Sequence, residues 1–241
     1  MSEQNVNLTF DLFQSFMHQR APALAMDVEL CDLSDLAPAW VQSSKEIARP
    51  DGGFFRVIGM RVLRAAGKAA SFWMQPMIGY QTSGYVGLVV CRMGEQDLVL
   101  VQLIAEPGNV GIWDADGKNT RVLVGPSFQF SQGNLAIHEK AKRGECDAKG
   151  NPFKLIPFAD SVKGKTFNAE WQPAPEDGGR FFEKVNNYGR VRVTDMNDVL
   201  AELEKTGAME NYSWTSIPVL RQLCRLGLVN GHLRSSMSLL V

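Results

Sequence analysis

The chain is poor in the residues that carry metal and redox chemistry. Its 241 residues include three histidines, His18, His138 and His232, and four cysteines, Cys31, Cys91, Cys146 and Cys224. The cysteines lie far apart with no paired metal spacing, which argues against a structural zinc site and predicts reduced thiols in a cytoplasmic protein. No run approaches the roughly 18 consecutive apolar residues of a membrane span, and no basic segment followed by an apolar core opens the chain. Neither membrane insertion nor export is therefore expected. Charge is balanced, with 25 Lys and Arg against 26 Asp and Glu. No global field recruits nucleic acid or an anionic surface, and any anionic ligand must be held locally. A Gly-rich loop ending in Lys-Ser/Thr, the dinucleotide glycine fingerprint and a Gly-x-Ser-x-Gly elbow are all missing. These exclusions leave acid–base chemistry or plain binding.

What is present is enough apolar material, 45% of residues, for one sizeable core. Leu8, Leu12, Phe13, Phe16 and Met17 recur at helical spacing before Pro22, predicting an N-terminal helical arm over residues 1–27 and one unit over 28–241. A short helix is expected from Ser34. Strand-like runs follow at 54–64, 71–80, 85–93, 97–106 and 121–130, separated by glycine-bearing turns, and read as a largely antiparallel sheet. The pattern turns helical from Asn134, and "RFFEKVNNYGRVRV" reads as a hairpin turning near Asn186 to Gly189. Two further helices end on glycine, the second with Ser216 as N-cap and Pro218 in its first turn. The class is α+β.

Polar residues interrupt the strands in a regular way. In "LVLVQLIAEPGN", alternation puts Leu98, Leu100, Gln102, Ile104 and Glu106 on one face. Trp73, Gln75 and Met77 share a face of another run, and Ser127, Gln129 and Ser131 share one of a third. If these faces meet, they form a polar, uncharged pocket floored by Trp73 that suits a hydroxylated ligand such as a sugar; otherwise they point at solvent. Glu106 precedes Pro107, which holds it extended at a strand mouth, either as a chemical group or as a solvated charge. His138 lies four residues after Asn134 on one helix face, with a pKa suited to proton transfer or with a structural role.

Read in order, "FFRVIGMRV", "WMQPMI", "GYVGLVV", "LVLVQLIAEPGN", "GPSFQFSQGNLAIH", "GGRFF" and "YSWTSIPVLRQLCRLGLVN" resemble the NDP-hexose 2,3-dehydratases of deoxysugar biosynthesis over roughly Val28 to Val241. The most specific elements are Trp-x-Gln-Pro from Trp73, the Gln with Glu-Pro-Gly-Asn from Gln102 to Asn109, and the Pro-Ser-x-Gln…Asn…His series ending at His138. The resemblance implies a Nudix-like fold, here a mixed or antiparallel sheet flanked by helices, and a nucleoside-diphosphate 4-keto-6-deoxyhexose as substrate, a dTDP-sugar foremost. The family commonly carries this unit in two tandem copies. One copy is seen here, so a homodimer is expected to cover the surface a second unit would occupy. The family's Gly-Gly after its histidine is replaced by Glu139 and Lys140. The Arg-Glu-x-x-Glu-Glu cluster with which Nudix hydrolases hold magnesium has no match.

The chemistry implied is a β-elimination. The 4-keto group acidifies the C3 proton, a base removes it, and the C2 hydroxyl leaves with an acid's help to give a 3,4-diketo sugar, with neither metal nor redox cofactor required. On this reading Glu106 and His138 carry protons. Gln75, Gln102, Gln129, Ser131, Asn109 and Asn134 position the sugar and its enolate oxygen. Arg61, Arg180 and Lys184 are candidates for the diphosphate, and Trp73 or Trp113 for stacking on the base or sugar. Two alternatives remain: a non-catalytic nucleotide-sugar binding protein with the same fold, and a Nudix-type hydrolase.

Overall fold

A computed structural model describes residues 6–66, 69–79, 82–163 and 169–240. In chain order the first half gives β1 (Val6–Asn7), α1 (Phe10–Leu24), β2 (Val41–Gln42), β3 (Glu46–Ala48), β4 (Arg56–Ala66), β5 (Ala69–Gly79), β6 (Gly84–Met93) and β7 (Gln96–Ala105). β8 (Val122–Gly125), β9 (Phe128–Phe130), α2 (Gln132–Lys142), β10 (Ala169–Pro175), β11 (Phe181–Phe182) and β12 (Val185–Val193) follow. The chain closes with α3 (Met196–Thr206), β13 (Tyr212–Ser216), α4 (Ile217–Arg225) and α5 (Gly231–Ser236). The α+β class is as the sequence predicts.

The strands form two mixed sheets. The larger has the order β1-β13-β7-β6-β12-β10, with β8 on β7 and β9 on β6; the smaller has the order β11-β5-β4-β3-β2. Helices cover both faces of the larger sheet. On one, Phe13, Met17 and Ala21 of α1 and Val219, Leu220 and Leu223 of α4 pack on Leu88, Val99 and Val101. On the other, Val199 and Leu203 of α3 join Leu98, Leu100, Phe128, Phe158 and Trp214. Thr9 caps α1, accepting from the Leu12 amide, and the i, i+4, i+8 spacing of Phe13, Met17 and Ala21 turns them inward while Leu12 stays outside. Just ahead of this helix, β1 pairs in parallel with β13, so the N-terminal segment is part of the main sheet. α4 begins as its sequence predicts, with Ser216 as cap and Pro218 in the first turn.

The expected hairpin at Asn186 to Gly189 does not form. Those residues lie inside β12, which runs unbroken between β6 and β10. Asn and Gly have here a tertiary rather than a turn-forming role. The Asn186 Oδ1 accepts from the Gly84 amide, and the Trp171 ring covers Gly189 so closely that a Cβ there would sit 2.7 Å from it.

One irregularity organises the molecule. The β6–β7 hairpin pairs near its turn, from Val89↔Leu100 to Met93↔Gln96, and then its arms diverge. β9 pairs with the outer part of β6 and β8 with the outer part of β7, so the run expected as one strand over 121–130 is broken at Pro126-Ser127 and wedged into the fork. At the apex the buried Ser127 Oγ accepts from the Val89 amide at 2.7 Å and donates to the Leu100 carbonyl, supplying partners where the ladder separates. The segment before α5 enters the same fork beside β8. The Val124 amide donates to the Leu228 carbonyl at 3.0 Å, and the Asn230 amide to the Val124 carbonyl at 2.9 Å.

Candidate active site

The fork gathers residues that are far apart in sequence. Glu106 follows β7, in a turn where its carbonyl accepts from the Asn109 amide at 3.0 Å across Pro107 and Gly108. Its carboxylate accepts from Gln129 Nε2 at 2.8 Å and from Asn230 Nδ2 at 3.4 Å, and the same Nδ2 donates to Gln129 Oε1 at 2.8 Å. Asn230 is fixed by its second role as N-cap of α5, where its Oδ1 accepts from the Leu233 amide at 2.9 Å. The three side chains thus form a closed ring of hydrogen bonds at the open end of the fork.

Two residues beyond Asn230, in the first turn of α5, stands His232, whose Nδ1 lies 3.3 Å from the Tyr188 hydroxyl. Burial pushes this imidazole below its ordinary value. The carboxylates of Glu176 and Glu106 pull it back up, and Lys184 adds to the depression. Lys184 Nζ is 3.8 Å from Glu176 Oε2 and 5.1 Å from the centre of the Phe181 ring, and burial likewise lowers its pKa against the pull of Glu176. Glu176 also accepts from the Asn186 amide group. Gln129, Ser131, Asn134, Lys184, Asn186 and His232 line one pocket of about 180 Å³. Among the described residues no group of three or more His, Cys, Asp and Glu side chains is placed to hold a metal ion.

Of the residues singled out from the sequence, Glu106, Gln129, Ser131, Asn134 and Lys184 come together here. Ser131 and Asn134 also form the capping box of α2. Gln102 does not line the pocket; its Oε1 accepts from the buried Tyr212 hydroxyl at 3.2 Å.

His138 lies outside this group. It is 3% exposed, its Nδ1 accepts from the Ile156 amide at 3.0 Å, and its Nε2 is 3.6 Å from Asp160. Burial pushes the Asp160 carboxyl up, but Lys142 and His138 together outweigh this and hold it below its ordinary value. The pair ties α2 to the segment that follows it.

Trp73 and Gln75 belong to β5 of the smaller sheet. There the indole donates to Gln75 Oε1 at 2.8 Å and Gln75 donates to the Gly179 carbonyl at 3.1 Å, so the Trp73 face does not floor the pocket. Arg61 and Gln75 line a separate groove between β4 and β5. Arg180 is 79% exposed and paired with Asp177, and Trp113 stands exposed in a bridge with Asn119. The Asn109 carbonyl accepts from Asn119 and Arg121, bracing the loop after Glu106.

Sequence reasoning missed Asn230, His232, Glu176, Asn186 and Tyr188. The scarcity of histidine pointed equally to His138 and His232. Only the fork, which brings residues near 230 beside β8 and β9, separates them.

The fork thus holds a polar pocket lined by amides, a lysine and an imidazole, with the Glu106 carboxylate bonded to one of those amides. The chain belongs to the NDP-hexose 2,3-dehydratase family, whose model matches residues 11–240. It is 30% identical over 187 residues to the dTDP-4-dehydro-6-deoxy-alpha-D-glucopyranose 2,3-dehydratase of Streptomyces violaceoruber, covering 76% of this chain and 34% of that protein. Against the protein of the same description from Saccharopolyspora spinosa it is 27% identical over 189 residues, covering 77% of this chain and 33% of the relative. The chain thus spans about a third of the length of these curated relatives.

Proposed function

We propose that the protein removes the C2 hydroxyl of a dTDP-4-keto-6-deoxyhexose by acid–base β-elimination, working in the cytoplasm. The observation that carries this reading is His232, an imidazole whose pKa burial lowers, lining a pocket with Lys184 and with Gln129, the amide that holds the Glu106 carboxylate. A depressed imidazole is neutral near pH 7 and able to accept the C3 proton. Once protonated, it is stabilised by the carboxylates of Glu106 and Glu176 and can return the proton to the departing hydroxyl. Lys184 supplies the positive charge that favours the enolate oxygen. His138, buried and bonded to the Ile156 amide, has a structural role on this account.

The apolar side chains Leu63, Phe72 and Met74 stand exposed on one face of the β4–β5 hairpin, which supports a homodimer formed through that face. Light scattering that reports a monomer at micromolar concentration would remove that part. The catalytic reading is tested by incubating the protein with dTDP-4-keto-6-deoxyglucose and following the mass of the sugar nucleotide. Loss of one water supports it. Tight binding without turnover points to a binding protein, and release of a sugar phosphate to a hydrolase.

A further inference from the structure

A second cleft, of about 720 Å³, opens directly beside the pocket and shares Ser131 and Asn134 with it. Its far wall is the loop before β4, which contributes Arg49, Phe54 and Phe55, and its near wall includes Gln132 and Ile137 of α2. Phe54 is unusual in two ways. Its side chain is 73% exposed, and its backbone has φ +68°, a left-handed conformation that bulky residues rarely adopt. Such strain persists where surrounding structure fixes it, and it gathers at ligand sites.

The loop is well fixed. The Gly52 amide donates to the Arg49 carbonyl at 3.0 Å, and Asp51 accepts from the Gly53 amide at 2.9 Å and from the Arg49 guanidinium. The rings of Phe55, at 5.1 Å, and Trp40, at 6.0 Å, themselves 5.1 Å apart, back Phe54 on one side and leave the rest of its ring exposed. A braced, solvent-facing aromatic ring at the edge of a cleft is a stacking platform for a planar heteroaromatic group.

We propose that Phe54 is the stacking surface for the nucleobase of the substrate, with the hexose in the smaller pocket, the diphosphate crossing by Ser131 and Asn134, and Arg49 on the diphosphate side. This rests on reading the neighbouring pocket as a nucleotide-sugar site. It assigns the base to the smaller sheet's loop rather than to Trp73 or Trp113.

The left-handed backbone makes a clean test possible, because Phe54→Gly keeps the loop conformation without strain while deleting the ring. Binding of dTDP is measured by calorimetry for the wild type, Phe54→Gly and Phe54→Tyr. The expected result is a weakening on the order of 10- to 100-fold in the glycine variant and near wild-type affinity in the tyrosine variant. Equal affinity of wild type and Phe54→Gly, no rescue by tyrosine, or no dTDP binding by the wild type overturns the proposal. Turnover is recorded separately. A ring-dependent dTDP affinity in a protein that never dehydrates its sugar leaves the subsite standing and refutes the dehydratase reading instead.

Discussion

Asn230 joins the fold to the site, and its replacement by aspartate separates the two roles. Asp caps a helix as well as Asn, so the bond from the Leu233 amide survives. The bridging Nδ2, however, becomes a carboxylate oxygen 3.4 Å from Glu106 Oε2 and 2.8 Å from Gln129 Oε1. Two charges at that separation repel by about 5 kcal/mol at an effective dielectric near 20, and a shared proton relieves part of this. The lost hydrogen bond to a charged group adds about 1.5–3 kcal/mol. We expect Asn230→Asp to lose about 3–5 kcal/mol of stability at pH 7 and at least ~10²-fold in kcat. Asn230→Ser keeps a capping oxygen, lacks the donor and adds no charge, so it loses only about 1.5–3 kcal/mol. Urea unfolding followed by tryptophan fluorescence measures both. An aspartate variant as stable as the serine variant would show that the Glu106 carboxylate does not face position 230 and would refute the ring of hydrogen bonds.

His232 governs the pH dependence. Its folded-state pKa lies below the ordinary 6.5, so the acid limb of the wild-type kcat/KM profile should fall below pH 6.5. The unfolded chain binds that proton more readily, so the contribution of His232 to stability is complete above about pH 6.5 and declines as pH drops below it, measurable as a shift in urea midpoint. His138→Ala leaves the buried Ile156 amide without its acceptor and opens a cavity; thermal denaturation should show a loss of about 2–4 kcal/mol, while kcat per folded molecule stays within about two-fold of wild type. A folded variant with kcat reduced ~10²-fold would return His138 to the chemistry. Ser127→Ala removes both bonds at the fork apex, and a loss of about 2–4 kcal/mol in chemical denaturation is expected. An unchanged midpoint would mean the fork is held by packing alone.

The strands were legible as apolar runs bounded by turn residues, β6 and β7 being buried on both faces, and β4 to β7 lie within a few residues of where the pattern puts them. The fork was not: Gly125-Pro126-Ser127 interrupts the run to Phe130, but that the interruption is a wedge depends on a serine meeting two distant backbone groups. Asn186 to Gly189 has the composition of a turn, yet it fills a central strand because Trp171 and the Gly84 amide use those residues. Glu106 and Gln129 were legible as polar interruptions. Their partner Asn230 stands 124 residues beyond Glu106, and no local pattern marks that contact. His138 stood out because it closes a motif; its ring is buried and accepts from the Ile156 amide, and the structural role proposed for it rests on those contacts.

The account's central claim is that His232 takes the C3 proton of the sugar. dTDP-4-keto-6-deoxyglucose deuterated at C3 tests it directly, with the fate of the label followed by NMR and of the C2 hydroxyl by mass spectrometry. The wild type should release the deuteron to solvent and expel one water, while His232→Asn should bind the substrate with near wild-type affinity and leave both in place. A His232→Asn variant that washes out the label and dehydrates the sugar at the wild-type rate would contradict the account.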